Sequence, residues 1–169
     1  NVIFSFRRIE DNIGAVQGKT VIKVGNLVYF LSEDGFRVTD GNASKPIGNG
    51  KVDRFFKSDL RFAHRERVRA AVDYANKLVC WSYPSTASGV TDKIIVYNYE
   101  TGRWSIVELS HQMIFNYISP GFTVDELDNY PSSGSNNLDA INVPLDSDIF
   151  VGGLRSLGVF DTTNKFGTF

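Results

Sequence analysis

The sequence predicts an all-β protein made of antiparallel meanders, with one short amphipathic helix. Three observations carry that expectation. Short runs rich in β-branched and aromatic residues recur along the chain, Gly, Asn and Asp sit between them at hairpin spacing, and one segment near residue 51 changes to a helical period. The 169 residues include 13 Phe, 7 Tyr and 2 Trp. At roughly 25 cal/mol per Å2 buried, such side chains can hold a core without cross-links or metals. A single Cys excludes an intrachain disulfide. No apolar run reaches the length of a membrane-spanning helix, so no membrane contact is expected, and no basic start followed by an apolar stretch reads as a leader.

The first meander is expected over residues 20–47. Val21 to Val24, Leu27 to Leu31 and Phe36 to Thr39 read as strands, separated by Gly25-Asn26, Ser32-Glu33-Asp34-Gly35 and Asp40-Gly41-Asn42. Tight hairpins demand positive φ, which places Gly25, Gly35 and Gly41 at the turns. From Lys51 to Leu60 the apolar positions are Val52, Phe55, Phe56 and Leu60, with Lys51, Asp53, Arg54, Lys57 and Asp59 on the other face. That spacing predicts a short helix with Phe55 and Phe56 both turned to the core.

A second, longer meander is expected over residues 67–108. Its strands are Arg67 to Tyr74, Leu78 to Tyr83, Lys93 to Tyr99 and Trp104 to Glu108, broken by Ala75-Asn76-Lys77, by the Pro84 to Thr91 stretch and by Glu100-Thr101-Gly102-Arg103. Residues 121–148 shift to Ser, Asn, Asp and Pro, and read as an acidic surface loop in which Thr123 to Glu126 opens at most one helical turn. Ile149 to Val151, Leu157 to Phe160 and Phe166 to Phe169 then restart the short-strand pattern as a third unit over residues 149–169. At the other end, Asn1 to Phe4 with Phe6-Arg7-Arg8 reads as a lone strand left from an earlier unit.

Recurring four-stranded meanders of this length are the signature of β-propeller blades, of which four to eight usually close a ring. About two and a half units are present. The chain is therefore expected to be part of a longer one, or to expose sheet edges that a partner covers. The stretch Tyr97-Asn98-Tyr99-Glu100-Thr101-Gly102-Arg103-Trp104-Ser105 is similar to the blade-ending pattern of Kelch-like propellers, which marks Tyr97, Thr101, Gly102 and Trp104 as a blade seam. Val24 to Ser32, Asp34-Gly35-Phe36, Pro46-Ile47-Gly48 and Val52-Asp53-Arg54-Phe55-Phe56 together resemble the propeller-forming tail hub and nozzle proteins of short-tailed bacteriophages. Phe122 to Asp128, Leu145-Asp146-Ser147 and Gly152-Gly153 fit the same likeness. The resemblance covers about residues 20 to 169. It implies a structural protein in the virion tail, packed with other tail proteins and with copies of itself into a ring, and it carries over no catalytic residues.

Charge supports repeated packing. Residues 1–85 hold 14 Lys+Arg against 9 Asp+Glu, whereas residues 86–169 hold 4 against 10. Such a dipolar chain suits head-to-tail contacts. The densest basic tract, Lys51, Arg54, Lys57, Arg61, Arg65, Arg67 and Arg69, is a candidate for subunit contact or for non-specific contact with DNA phosphates. Its bland alternative is a solvated, salt-bridging face.

Enzyme chemistry is not expected. His64 and His111 are the only histidines, and Cys80 lies inside the run Leu78 to Tyr83, where it shares a face with Leu78 and Ser82 and reads as a buried small side chain. No CxxC, HExxH, Walker A or GxSxG pattern is present. Asp125, Glu126, Asp128, Asp139, Asp146 and Asp148 lack the spacing of a calcium loop, so no metal or other cofactor is expected. Asn42-Ala43-Ser44 is a formal glycosylation acceptor, relevant only to a secreted eukaryotic protein. Ser32 to Phe36 weakly resembles the Asp-box turn of sialidase-like propellers, without the aromatic that should follow. The alternatives to a structural tail component are accordingly a glycan-binding or glycan-cleaving propeller on a virion or cell surface, and a Kelch-type interaction module.

Overall fold

The protein is described by a computed structural model covering residues 7–118, 155–163 and 165–168. Strands β1 (Ile22–Val24), β2 (Leu27–Leu31), β3 (Phe36–Thr39) and β4 (Ser44–Pro46) form an antiparallel meander in chain order. The first turn works because Gly25 takes φ +58°. The second closes by paired backbone bonds between Ser32 and Gly35, at 2.8 and 3.2 Å. Residues before β1 run alongside this sheet: Val16 N–H donates to Leu31 O at 2.8 Å, and the Glu10 carboxylate accepts from the Ser44 amide and hydroxyl. Of the lone strand expected at the start, residues 1–6 lie outside the described residues, while Arg7 and Arg8 are in no strand.

The expected helix is α1 (Lys51–Asp59). Asp53, in its first turn, accepts from Gly50 N–H at 3.1 Å and from Phe36 N–H at 2.9 Å, so the same carboxylate caps the helix and ties it to β3. Phe56 is buried, with edge contacts to Phe36 and Tyr83 at 5.0 and 4.9 Å between ring centroids. Phe55 is 41% exposed, which corrects the expectation that it faces the core. One residue of helix turns the chain by about 100°, and the narrow apolar stripe of so short a helix takes Val52, Phe56 and Leu60 but leaves Phe55 at its margin.

A 3-10 segment (Phe62–Arg67) replaces the expected start of the next strand. It leads into β5 (Arg69–Asp73), β6 (Leu78–Tyr83), β7 (Thr91–Asn98) and β8 (Arg103–Ile118). The last of these is the main departure from expectation. It runs 16 residues, well past Glu108, and its outer part pairs with β9 (Arg155–Asp161), which pairs in turn with β10 (Phe166–Thr168). The described part of the 149–169 unit is thus the far edge of one six-stranded sheet, ordered β10-β9-β8-β7-β6-β5, and not a separate sheet. Residues 121–148, with the Thr123 to Glu126 turn, lie outside the described residues.

The second sheet curls. Strands β5 and β8 are three places apart, about 14 Å at normal strand spacing. Yet the Asn116 side chain of β8 bonds to both backbone groups of Val72 on β5: its Oδ1 accepts from Val72 N–H at 2.9 Å and its Nδ2 donates to Val72 O. Arg155 of β9 lies over the Tyr74 ring at 5.5 Å. The bend follows the β-bulge between His111 and Met113. It brings Ile114 and Leu157 over Ala71, Cys80, Ile94 and Val96, forming a small apolar core on one face of the sheet.

The other face meets the first sheet. Tyr29, Leu31, Phe36, Phe56, Val72, Val79, Trp81, Tyr83 and Ile95 form the main core. Strand alternation produces both cores at once: along β6, Val79, Trp81 and Tyr83 enter the main core while Cys80 enters the small one.

Candidate functional site

Of the seam residues singled out in the sequence, Tyr97 and Trp104 pack against the core between the sheets, whereas Thr101 and Gly102 are exposed in the turn before β8. Trp104, half-buried, contacts Tyr97 at 4.7 Å on its own sheet and Phe36 at 4.9 Å on the other, and stacks on Trp81 at 5.9 Å with 23° between planes. Both indoles donate across the interface. Trp81 Nε1 reaches Thr20 O at 3.1 Å and Trp104 Nε1 reaches Ile47 O at 3.2 Å. These bonds fix the tilt of one sheet on the other, a constraint that apolar contact alone does not supply. Gly102 takes φ +69° in the turn before β8. The Asn98 side chain holds that turn by accepting from the amides of Glu100 and Thr101 at 3.0 and 2.8 Å. Thr101 contributes through its backbone, its residue being exposed.

The basic tract, exposed apart from the half-buried Arg69, is divided. Lys51 borders a shallow groove with Phe55, Trp104 and Ile106. Lys57 and Arg65 border a second concavity with Phe56 and Phe62, where the Arg65 guanidinium lies 4.6 Å over the Phe62 ring. Arg67 and Arg69 line a third cleft. Arg61 and Arg67 are engaged with the loop after β6, donating to Ser88 O at 3.0 Å and Gly89 O at 2.8 Å, and Arg54 Nε donates to Gly50 O at 3.0 Å. Cations close in sequence therefore serve three different concavities.

A feature that sequence reasoning missed is the outer edge of β8. Its partner β9 begins pairing only at His111, so residues 103–110 hydrogen-bond to β7 on one side alone among the described residues. Ile106 and Val107 on this stretch are 41% and 38% exposed on opposite faces. The edge itself is the unpaired outer backbone, and the exposure of Ile106 and Val107 shows that both faces beside it are open as well. The signal was faint, because Ile106-Val107 reads equally well as a buried strand.

Reactive groups are sparse among the described residues. Burial, and secondarily the nearby Asp73 charge, push the Cys80 thiol up to about 12, so it is not a nucleophile at neutral pH. Tyr83 donates to Asp59 Oδ2 at 2.9 Å, and Lys93 Nζ donates to the same oxygen at 3.0 Å. Burial raises the phenol first, then its bond to Asp59; Lys93 is raised first by its own bond to the Asp59 carboxylate. This triad ties the end of α1 to β6 and β7. No three His, Cys, Asp or Glu side chains group as metal ligands among the described residues, and no described helix is long and apolar enough to cross a membrane. Asp125 to Asp148, the acidic candidates, lie outside the described residues. Compared with known proteins, the chain matches no protein-family model and no curated sequence.

Proposed function

We propose that the chain is a structural assembly component of a bacteriophage tail, of the hub or nozzle type, acting through subunit packing and not through catalysis. The open edge of β8 carries this reading. A strand edge uncovered among the described residues and flanked by exposed Ile106 and Val107, with Phe55 beside it, offers backbone donors and acceptors together with apolar area to an incoming chain. The face-to-face stacking of two successive meanders across Trp81, Phe36 and Trp104 supports the propeller-like part of the reading, since blades pack that way. The division of basic residues among three concavities favours local subunit contacts over one continuous DNA-binding stripe. Copies of this chain, or neighbouring tail proteins, are the partners proposed, and the virion tail the location.

Native mass by light scattering behind a sizing column tests the proposal. The expected result is a discrete multiple of the 18.9 kDa chain, shifted toward monomer by Ile106→Lys combined with Val107→Lys, with the thermal midpoint little changed because both side chains are already exposed. A strict monomer over a wide concentration range, unaffected by the double substitution, refutes packing through this edge.

A further inference from the structure

Beside the β8 bulge lies a cleft of about 470 Å3, lined among others by Lys19, Glu66, Arg67, Arg69, Thr91 and His111. Three of the six are cations. Arg67 is partly engaged, through Gly89 O at 2.8 Å and Glu66 Oε1 at 3.8 Å. Lys19 and Arg69 make no ion pair among the described residues. Like charges gathered in a concavity repel one another and focus a positive potential there, which an anion relieves.

The second observation is independent of charge. His111 is 0% exposed and occupies the bulge, opposite Thr91 of β7 and Asp161 of β9. Its Nδ1 lies 2.6 Å from Leu109 O. A carbonyl only accepts, so Nδ1 holds the proton and Nε2, at the far end of the ring, holds the lone pair when the ring is neutral. That Nε2 is buried with no hydrogen-bond partner among the described residues. Buried polar atoms in native proteins are nearly always satisfied, so an orphan beside a cationic cleft points to a ligand that completes it.

We propose that this cleft binds a tetrahedral oxyanion of the phosphate class, held by Lys19, Arg67 and Arg69, with one proton shared between the anion and His111 Nε2. The proton count is explicit. A neutral imidazole and a dianion take up one proton from solvent on binding, whether it rests on Nε2 or on an anion oxygen. The charged groups around the ring are Lys19 ahead of β1, Arg67 and Glu66 of the 3-10 segment and Arg69 of β5 in the shared cleft lining, Asp161 opposite it on β9, and Asp92 of β7, whose charge acts on the ring. Burial holds the ring below its ordinary value, against the opposing bond to Leu109 O and the Asp92 charge. A bound anion beside the ring favours the imidazolium over the neutral ring, which brings the proton on. Binding therefore tightens as pH falls. A small oxyanion is favoured over a nucleic acid because the other cations of the tract border different concavities and Glu66 lies in this one. The proposal does not rest on the assembly reading.

Calorimetric titration of the 169-residue chain with inorganic sulfate and inorganic phosphate, at low ionic strength and at about pH 6 and about pH 8, tests it. Sulfate carries no proton in that range, so its pH dependence reports the protein alone. Expected are saturable one-site binding, tighter at the lower pH for both anions, and a loss of at least about tenfold in Lys19→Gln combined with Arg69→Gln. His111→Gln should weaken sulfate binding at about pH 6 and flatten its pH dependence. Should that variant fail to fold, the imidazole 15N signals of the wild-type chain give the same answer, through protonation of Nε2 on sulfate addition. Absence of saturation with either anion overturns the proposal, as does unchanged affinity in the lysine and arginine variant. Sulfate binding that is independent of pH with unshifted imidazole signals overturns it too, and so does displacement of both anions by duplex DNA with a steep salt dependence, which would assign a nucleic-acid surface instead.

Discussion

The Asp53 carboxylate fills the space that a β-carbon on Gly48 would need: an ideal Cβ there would lie 2.0 Å from Oδ1. Gly35 stands in the same relation, with a Cβ 2.3 Å from Asp53 and φ +144°. Three stretches separated in sequence, the β2–β3 turn, the loop after β4 and the first turn of α1, converge on one buried carboxylate that Phe36 and Gly50 amides satisfy. Gly48→Ala should therefore lower stability by about 1–3 kcal/mol, as other overpacking substitutions do. A shift in urea midpoint at unchanged slope is the expected sign. Gly18→Ala, where a Cβ meets nothing within 4 Å, serves as the control and should be near neutral.

Trp104→Ala removes contacts to Phe36, Trp81 and Tyr97 together with the bond to Ile47 O. A loss of about 3–5 kcal/mol is expected. Chemical denaturation measures it, and a loss below about 1 kcal/mol would mean that the sheets do not depend on this seam. Trp104→Phe should recover part of the loss, since it keeps the ring contact and drops the donor.

Asn116 imitates a neighbouring strand by offering a side-chain amide to the edge of β5. Asn116→Leu leaves the Val72 N–H and C=O without those partners and should cost about 1–3 kcal/mol. Hydrogen exchange gives a local readout: the Val72 amide should lose protection in the variant, while amides in the first sheet should not.

Stability should fall on mild acidification. The folded His111 titrates below its ordinary value of 6.5, first because of burial. The unfolded chain thus binds more protons, and stability is intact above about pH 6.5 and declines below it by at most about 1.4 kcal/mol per pH unit for this group. Glu10, Asp40 and Asp161 are also held below their ordinary values, chiefly by bonds to Ser44, to the Asn42 amide and to the Lys165 amide. They add stability above their unfolded values of 4.5, 3.8 and 3.8, lost as pH drops through the folded ones. A thermal midpoint followed from about pH 7 to about pH 5 isolates the histidine, and His111→Gln should flatten the profile there. Added sulfate should restore part of the lost midpoint if the cleft takes the anion.

Local chemistry was enough to locate most of the elements. Alternation and turn residues placed β1, β2, β3, β6 and most of β7, and the change of period placed α1, because each depends on near neighbours in the chain. That Trp104 and Tyr97 pack against the core was legible for the same reason: a large flat side chain beside a Gly turn has few uses other than packing. What local pattern did not reveal was how far β8 continues. Its bulge at His111 breaks the two-residue period, so the strand reads as ending at Glu108 although it runs to Ile118.

The sequence by itself determined an antiparallel β protein with one helix, two meanders and a charge asymmetry, since hydrophobic period and turn chemistry are properties of consecutive residues. Only the tertiary structure decided that β9 and β10 extend the second sheet, that Asn116 curls it back onto β5, that Phe55 faces out, and that Lys19, Arg69 and His111 share one cleft. Those outcomes depend on which distant surfaces bury each other, and burial is set by the competition among all the chain's apolar faces at once.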